Sequence, residues 1–524
     1  MNVAPLLQSF RTSSVVHTTL PLAAGIVTLL AVWFWDQPVS PSAYGFPLDD
    51  AWIHMVYARE VAQTGTLAYN RGVPATGATS PLWVGILAVV QLLNGQGSVN
   101  GIILGAYAVA AACFLFSIFL LARLTTILTS SQWVGTAAGI VLAISPPMAA
   151  AAFSGMEPLL CAALLLASFL SFFQRRFWLA GIALGLAFAT RPEAMVVIVL
   201  LASATVVVKT DRRHLLPLLL PSMIVGVLWG YHNYQATGFL LPATFYLKRN
   251  FVHIDQVHSV WVGLSAIVDR IPPFWAHAVW LSLGGFLILG EIRKMGPRTI
   301  LPILGGLLFL AGNLVVVPPL DPSSFYHIRY IMPAIPLLIS GCAVGLLALV
   351  RFLHGNARIA AAIFLVTGIV GCAATLPHAS ARLHNDIRNI NEVQVAMGEW
   401  VGAHTGPQAW IATSDAGAVR YFSNRPSIDL MGLNTPEVLV GGEEWVKARP
   451  ARILTFMPSW FQPVHQKLGT IREFTTEPYT VTKWPQMATQ IAAVCLADTN
   501  AAIVRVDLAG VRSVRIYCVP FREH

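Results

Sequence analysis

Charge is the scarcest thing in this sequence. Only 11% of its 524 residues are charged and 56% are hydrophobic, whereas a soluble domain carries about 25% charged residues. That shortfall excludes an ordinary water-soluble globule, because most of the surface must meet hydrocarbon. A basic groove with interleaved aromatics is also lacking. The net charge of +9 is spread in short clusters between apolar runs, which argues against nucleic-acid binding. The cations read instead as topology signals and as binders of anionic lipid groups. Cysteine is sparse, with six in all. No CxxC or His-Cys spacing suggests zinc. Cys113, Cys161, Cys342 and Cys372 lie in apolar runs as packing residues, while Cys495 and Cys518 would be free to pair if their region is outside the cytoplasm. Strand-like alternation is missing from the apolar runs, so they are expected to be helices rather than a barrel. There is no internal repeat and no low-complexity stretch. The first apolar run has no convincing small-residue cleavage site and is expected to remain as a span.

What is present is a series of long apolar runs. A span needs about 20 apolar residues. Eleven candidates result: 16–35, 99–123, 132–151, 158–174, 177–190, 192–208, 215–235, 275–292, 299–317, 333–353 and 358–376. A twelfth run, 81–94, is too short to cross comfortably and is expected to lie along the interface. Charge placement decides this point. With 81–94 on the surface and the N-terminus cytoplasmic, Arg123, Arg175 and Arg176, Lys209, Arg212 and Arg213, Arg293, Lys294 and Arg298, and Arg351 and Arg358 all face inward. That is the positive-inside pattern. If 81–94 crosses, every one of these clusters faces outward.

The expected fold is therefore a mostly α-helical polytopic membrane protein of the inner (plasma) membrane. It has about 11 transmembrane helices in residues 1–376, interfacial helices in an outer loop 36–98, and a small α/β domain in 377–524. From 377 the composition becomes that of a soluble domain. Helices are expected near 386–404 and 416–423, with strands at 410–413, 427–430, 452–457, 501–507 and 512–519. In this topology the outer side receives the loop 36–98, the turns at Glu157 and at Arg191 and Glu193, the loops 236–274 and 318–332, and the C-terminal domain.

Nearly all the unusual polar residues fall on that side. Asp49 and Asp50 open a segment with helical apolar spacing at Trp52, Met55, Val56 and Ala58. Carboxylates there can cap free N–H groups and suit the helix dipole, or they can serve as a general base or metal ligand at the membrane surface. Adjacent helical residues point about 100° apart, so the two acids are not expected to share one job. His54, one turn on, orients Asp50 or faces the headgroups. Arg191 and Glu193 flank Pro192 between two short runs, where ionisable groups are usually paired and often functional. An Arg191–Glu193 or Arg191–Glu157 pair that only joins helices is an equal reading. Asp415 and Asp429 fall at strand ends, where turn and capping roles compete with acceptor contact.

The stretch Asp49-Asp50-Ala51-Trp52-Ile53, followed by Tyr57-Ala58-Arg59, Gly65, Tyr69-Asn70-Arg71-Gly72 and Thr79-Ser80-Pro81-Leu82-Trp83, resembles the first outer loop of the glycosyltransferase-C superfamily. These membrane-embedded enzymes use sugars carried on polyprenyl phosphate. The nearest likeness is to the arabinofuranosyltransferase type that finishes mycobacterial arabinan. Later matches keep the order: Ser154-Gly155-Met156-Glu157-Pro158, Thr190-Arg191-Pro192-Glu193-Ala194, Gly238 to Lys248, Arg329-Tyr330-Ile331-Met332-Pro333, Asp415-Ala416-Gly417-Ala418 and Ile428 to Leu433.

The resemblance implies an inverting transfer from polyprenyl phosphate to a glycan, lipid or protein acceptor on the extracytoplasmic side. Asp49 would deprotonate the acceptor hydroxyl, with Asp50 its alternative or support. Glu157 would be the second acid, orienting the acceptor or helping Asp49 and Asp50 hold a divalent cation (Mg, Mn or Ca). Lys248, Arg249, His327 and Arg329 would bind the donor phosphate. Snorkelling toward headgroups is the ordinary alternative for each. A secondary transporter is the rival class, and it predicts inverted repeats and broken helices with ionisable groups at mid-depth. A non-catalytic lipid-glycan binder is the other.

Overall fold

The structure, a computed structural model, describes residues 4–35, 44–95, 97–245, 297–316, 329–413, 415–437, 451–456, 492–495, 503–506 and 514–517. It is mostly helical, as the apolar runs require. Among the described residues four helices are long and apolar enough to cross a membrane: Val15–Phe34, Val99–Thr129, Asp211–Thr237 and Met332–Phe352. Counting two bent helix pairs as single spans makes six. Pro158–Phe173, Phe177–Thr190, Pro192–Val207 and Leu301–Asn313 are apolar but shorter, and the expected span 275–292 lies outside the described residues. The run 81–94 is a helix of 14 residues, Pro81–Asn94.

The chain divides into two compact units. The first gathers Met1–Gln37, Ala106–Trp229 and Lys248–Arg382. Here small residues let helix backbones approach closely, the usual device where lipid removes the hydrophobic drive for helices to associate. A Cβ on Gly181 would lie 2.3 Å from the carbonyl oxygen of Pro217 and 2.7 Å from that of Leu218. On Gly139 it would press on Ala122 and Pro21. Trp33, Tyr107 and Phe153 form a contact triplet with ring centroids 4.9–5.7 Å apart. Ile335–Phe352 is buried nearly throughout, which suits a helix apolar on all sides.

The second unit gathers Pro38–Gly105, Gly230–Leu247 and Leu383–His524. Its first element is a loop helix, Asp49–Thr64, closed by Gly65 in the left-handed conformation at φ 72°, where a side chain would strain the backbone. A short hairpin follows, Ala68–Asn70 against Val73–Pro74. The helix Pro81–Asn94 starts with proline at its first position, where the missing N–H is harmless. It docks on the loop helix, with Gln91 Nε2 donating to the Met55 carbonyl at 3.0 Å.

The C-terminal part of this unit forms a four-stranded mixed sheet in the order Ser427–Asp429, Trp410–Thr413, Ala451–Phe456, Ala492–Cys495. The first three strands are parallel and the last is antiparallel. Ile503–Val506 and Val514–Tyr517 pair separately. The crossover between the strands 410–413 and 427–429 carries a six-residue helix, Ala418–Ser423. Cys518 lies outside the described residues.

The stretch Ala357–Ile390 is helical through Pro377, with a bend of 43° between Ala357–Cys372 and Thr375–Ala403. It continues as a five-residue π-turn, Asn391–Val395, and then Ala396–His404. The strand Ala492–Cys495 is an addition that the sequence pattern does not disclose.

The close helix approach makes Gly181→Leu costly. It should lower stability by about 1–3 kcal/mol through overpacking, read as a reduced thermal unfolding midpoint in detergent. Gly85→Leu, at a position with open space around it, should leave the midpoint unchanged.

Candidate functional site

Two clusters of buried polar residues stand out, one in each unit. In the second unit Asp49 and Asp50 open the loop helix, as the spacing predicts, but neither caps it. The residue at the cap is Leu48, with no side-chain bond. Asp49 turns instead to the six-residue helix of the sheet crossover. Its Oδ2 accepts from the Gly417 N–H at 2.8 Å and its Oδ1 from the Ala418 N–H at 2.7 Å. Glycine is required at 417, because a Cβ there would sit 2.1 Å from the Asp49 carbonyl oxygen.

Burial pushes the Asp49 carboxyl up to about 7. The two N–H bonds oppose that rise, and Asp50 and Asp429 add to it. These are the ordinary ways in which proteins move a carboxyl into the range of a general base.

Asp415 and Asp429 follow from the sheet. They lie at the carboxyl ends of adjacent parallel strands, the edge where open α/β sheets place ligands. The two acids differ in their surroundings. Asp429 is fully committed: Oδ1 accepts from the Met431 N–H at 2.9 Å, and Oδ2 from the N–H and the side-chain amide of Asn434, each at 2.8 Å. Burial still lifts it to about 6 against those bonds. Asp415 is buried, and its carboxyl is pushed well above the usual range by burial and then by Asp49, Asp50 and Asp429.

Further bonds fasten the loop segment to the same strands. Tyr69 Oη donates to the Ala416 carbonyl at 2.8 Å. Asn70 exchanges bonds with Ser427, donating to its carbonyl and accepting from its N–H. Arg59 donates to the Tyr421 carbonyl at 2.9 Å and lies 4.5 Å from that ring's centre. Arg420 sits 3.7 Å from Glu60 and donates to the Tyr69 carbonyl. Burial and then the neighbouring Arg59 guanidinium hold Arg420 down to about 10. His54 is buried on the loop helix.

The first unit holds the other cluster. Glu157 Oε1 accepts from Arg191 at 2.9 Å, and both side chains are almost wholly buried. Glu193 approaches the same guanidinium at 3.9 Å. Both pairings expected for Arg191 are thus present. Arg329 donates from Nη2 to the Tyr330 hydroxyl at 2.8 Å. The guanidiniums of Arg191 and Arg329 lie 5.0 and 4.8 Å from the Tyr330 ring centre, so the aromatic face draws two cations together. Lys248, Arg249 and His327 lie outside the described residues. Among the described residues no group of three or more His, Cys, Asp or Glu side chains is gathered closely enough to hold a metal ion.

Arg420 and Glu60 carry no sequence signal of this pairing, being more than 300 positions apart. The only pointer is that Arg59 belongs to the Tyr57-Ala58-Arg59 motif.

Against known proteins, residues 385–504 match a family described as a domain of unknown function (DUF8728). No curated protein matches the sequence. Similar solved structures include ArnT from Cupriavidus metallidurans in the apo state, at a TM-score of 0.56 and 12% identity, covering 88% of this chain and 96% of that one. The same protein bound to undecaprenyl phosphate gives 0.54, with 12% identity and the same coverage. An Archaeoglobus fulgidus oligosaccharyltransferase, in complex with Zn and sulfate, gives 0.52 at 12% identity, covering 86% of this chain and 69% of that chain. This chain shares the fold of these structures. With its apolar spans, that makes it a multi-pass membrane protein. At 12% identity the likeness is one of fold, and the chemistry rests on this chain's own residues.

Two outcomes test the clusters. Removing Arg191 as Arg191→Met strands Glu157 in the interior and should cost about 3–5 kcal/mol, seen as a large drop in the unfolding midpoint; a drop near zero contradicts the pairing. For Asp49, the folded carboxyl near 7 lies above its ordinary 3.8, so the folded state binds the proton more tightly than the unfolded state. Its contribution to stability is therefore full at low pH and is lost as pH rises from about 4 to 7. The unfolding midpoint of Asp49→Asn should fall less over that window than that of the wild type, and equal slopes would refute the assignment.

Proposed function

We propose that this protein is an inverting glycosyltransferase that moves a sugar from polyprenyl phosphate to a cell-envelope acceptor on the extracytoplasmic face, with Asp49 as the base. The observation that carries the reading is the state of Asp49. It is a carboxylate fixed by two backbone N–H groups, adjusted to about 7, and placed at the carboxyl ends of a parallel sheet on a glycosyltransferase-C fold. A base near the working pH combines a high charged fraction with useful proton affinity.

In the reaction Asp49 takes the proton of an acceptor hydroxyl as that oxygen forms its bond to the anomeric carbon. The bond from that carbon to the phosphate oxygen breaks, and its electron pair leaves on polyprenyl phosphate. That leaving group is already a good anion, so it needs neutralising charge rather than a proton. Arg329 is the described cation assigned to it, with Lys248, Arg249 and His327 from the sequence. Glu157 is bound to Arg191, so its contribution is to hold that guanidinium in place. Asp50 supports Asp49 electrostatically. Two properties of similar structures accord with a lipid-linked donor: undecaprenyl phosphate bound by the Cupriavidus protein, and the oligosaccharyltransferase activity named for the Archaeoglobus one. Arabinofuranose is the favoured sugar, on the likeness of the first outer loop alone.

Purified protein in lipid, given polyprenyl-phosphate arabinofuranose and a glycoside acceptor, should release polyprenyl phosphate at a rate that rises with pH toward about 7. Asp49→Ala should lower that rate by about 10²–10⁴-fold, the usual worth of a general base. Undiminished release from both Asp49→Ala and Asp50→Ala would sink the mechanism.

A further inference from the structure

Asp415 is unlike Asp429, its neighbour on the adjacent strand. Asp429 has donors for both oxygens. Asp415 is only 8% exposed, and its Oδ2 is buried with no hydrogen-bond partner among the described residues. The bond from Thr413 Oγ1 goes to the Asp415 backbone carbonyl and not to Oδ2. A buried carboxyl oxygen without a donor is costly, and native structures seldom leave one so without a reason. Among the described residues, the charged groups named as acting on it are Asp49, Asp50 and Asp429, all acids. The residue also stands two positions before Gly417, which holds the base.

We propose that Asp415 is an acceptor-binding residue whose Oδ2 takes one hydroxyl of the acceptor while Asp49 deprotonates the adjacent one. The acceptor is then a vicinal diol, which is to say the end of a sugar chain, rather than a lone serine, threonine or lipid alcohol. This rests on the glycosyltransferase reading. Burial, and then Asp49, Asp50 and Asp429, push the Asp415 carboxyl above its usual range, and an acceptor hydroxyl at Oδ2 would supply the missing bond.

The test compares two acceptors, an octyl arabinofuranoside and its deoxy analogue lacking the hydroxyl next to the one glycosylated, with polyprenyl-phosphate arabinofuranose as donor. The wild type should favour the diol by about tenfold in kcat/KM, the worth of one hydrogen bond to a site built for it. Asp415→Leu, an apolar side chain of similar size that should fold because it removes a buried unpaired polar group, should treat both acceptors alike. Asp415→Asn, still able to bond a hydroxyl, should keep most of the preference. An unchanged preference in Asp415→Leu would overturn the proposal. So would loss of all transfer in both variants, which would make the residue essential to the chemistry and not to one hydroxyl. Absence of transfer by the wild type to either acceptor would instead defeat the glycosyltransferase reading, and this inference with it.

Discussion

The bond from the Asp49 carboxylate to the N–H groups of Gly417 and Ala418 joins residues almost 370 positions apart, and much of the second unit is arranged around it. It needs a glycine, because only a bare Cα leaves room for the Asp49 backbone. It also sets the base. Burial alone would lift the carboxyl too far, and the two N–H donors pull it back to about 7. The same contact is braced by Tyr69 on Ala416, Asn70 on Ser427 and Arg59 on Tyr421. Even the turn beyond the sheet takes part: a Cβ on Gly77 would lie 2.0 Å from Asn434 Oδ1, so only a bare Cα leaves room for the Asn434 side chain that also holds Asp429. Such saturation makes the acid's position a property of the fold rather than of one rotamer, as a preorganised site requires.

The cluster in the first unit follows a different rule. Its charges balance, with Arg191 and Arg329 against Glu157 and Glu193, and the Tyr330 ring serves both guanidiniums. Ion pairs so deeply buried seldom add net stability over apolar side chains of the same volume. What such pairs do supply is cations held in fixed positions.

Much of this was legible in the residues. Scarcity of charge announced a membrane protein, and the positions of helices and of five strands followed from periodicity. Asp49, Glu157, Arg191 and Arg329 were singled out because ionisable groups beside apolar runs are rare. Local patterns failed where partners were distant. Spacing at the start of the loop helix left capping and a general-base role both open for Asp49, and nothing nearby told of Gly417. Asp415 and Asp429 looked equivalent at strand ends, and only the turn to Asn434 separated them. Pro377 is carried within the helix Ala357–Ile390, as a proline can be at the cost of one hydrogen bond and a bend.

The most direct test of the central claim is the pH–rate profile of sugar transfer in the wild type and in Gly417→Ala. The added methyl must push the crossover helix from Asp49 and weaken the two N–H bonds that hold its carboxyl down. The limb that rises toward about 7 in the wild type should therefore move to higher pH in the variant. A profile that stays in place, at whatever rate, would show that Asp49 is not the base held by this contact.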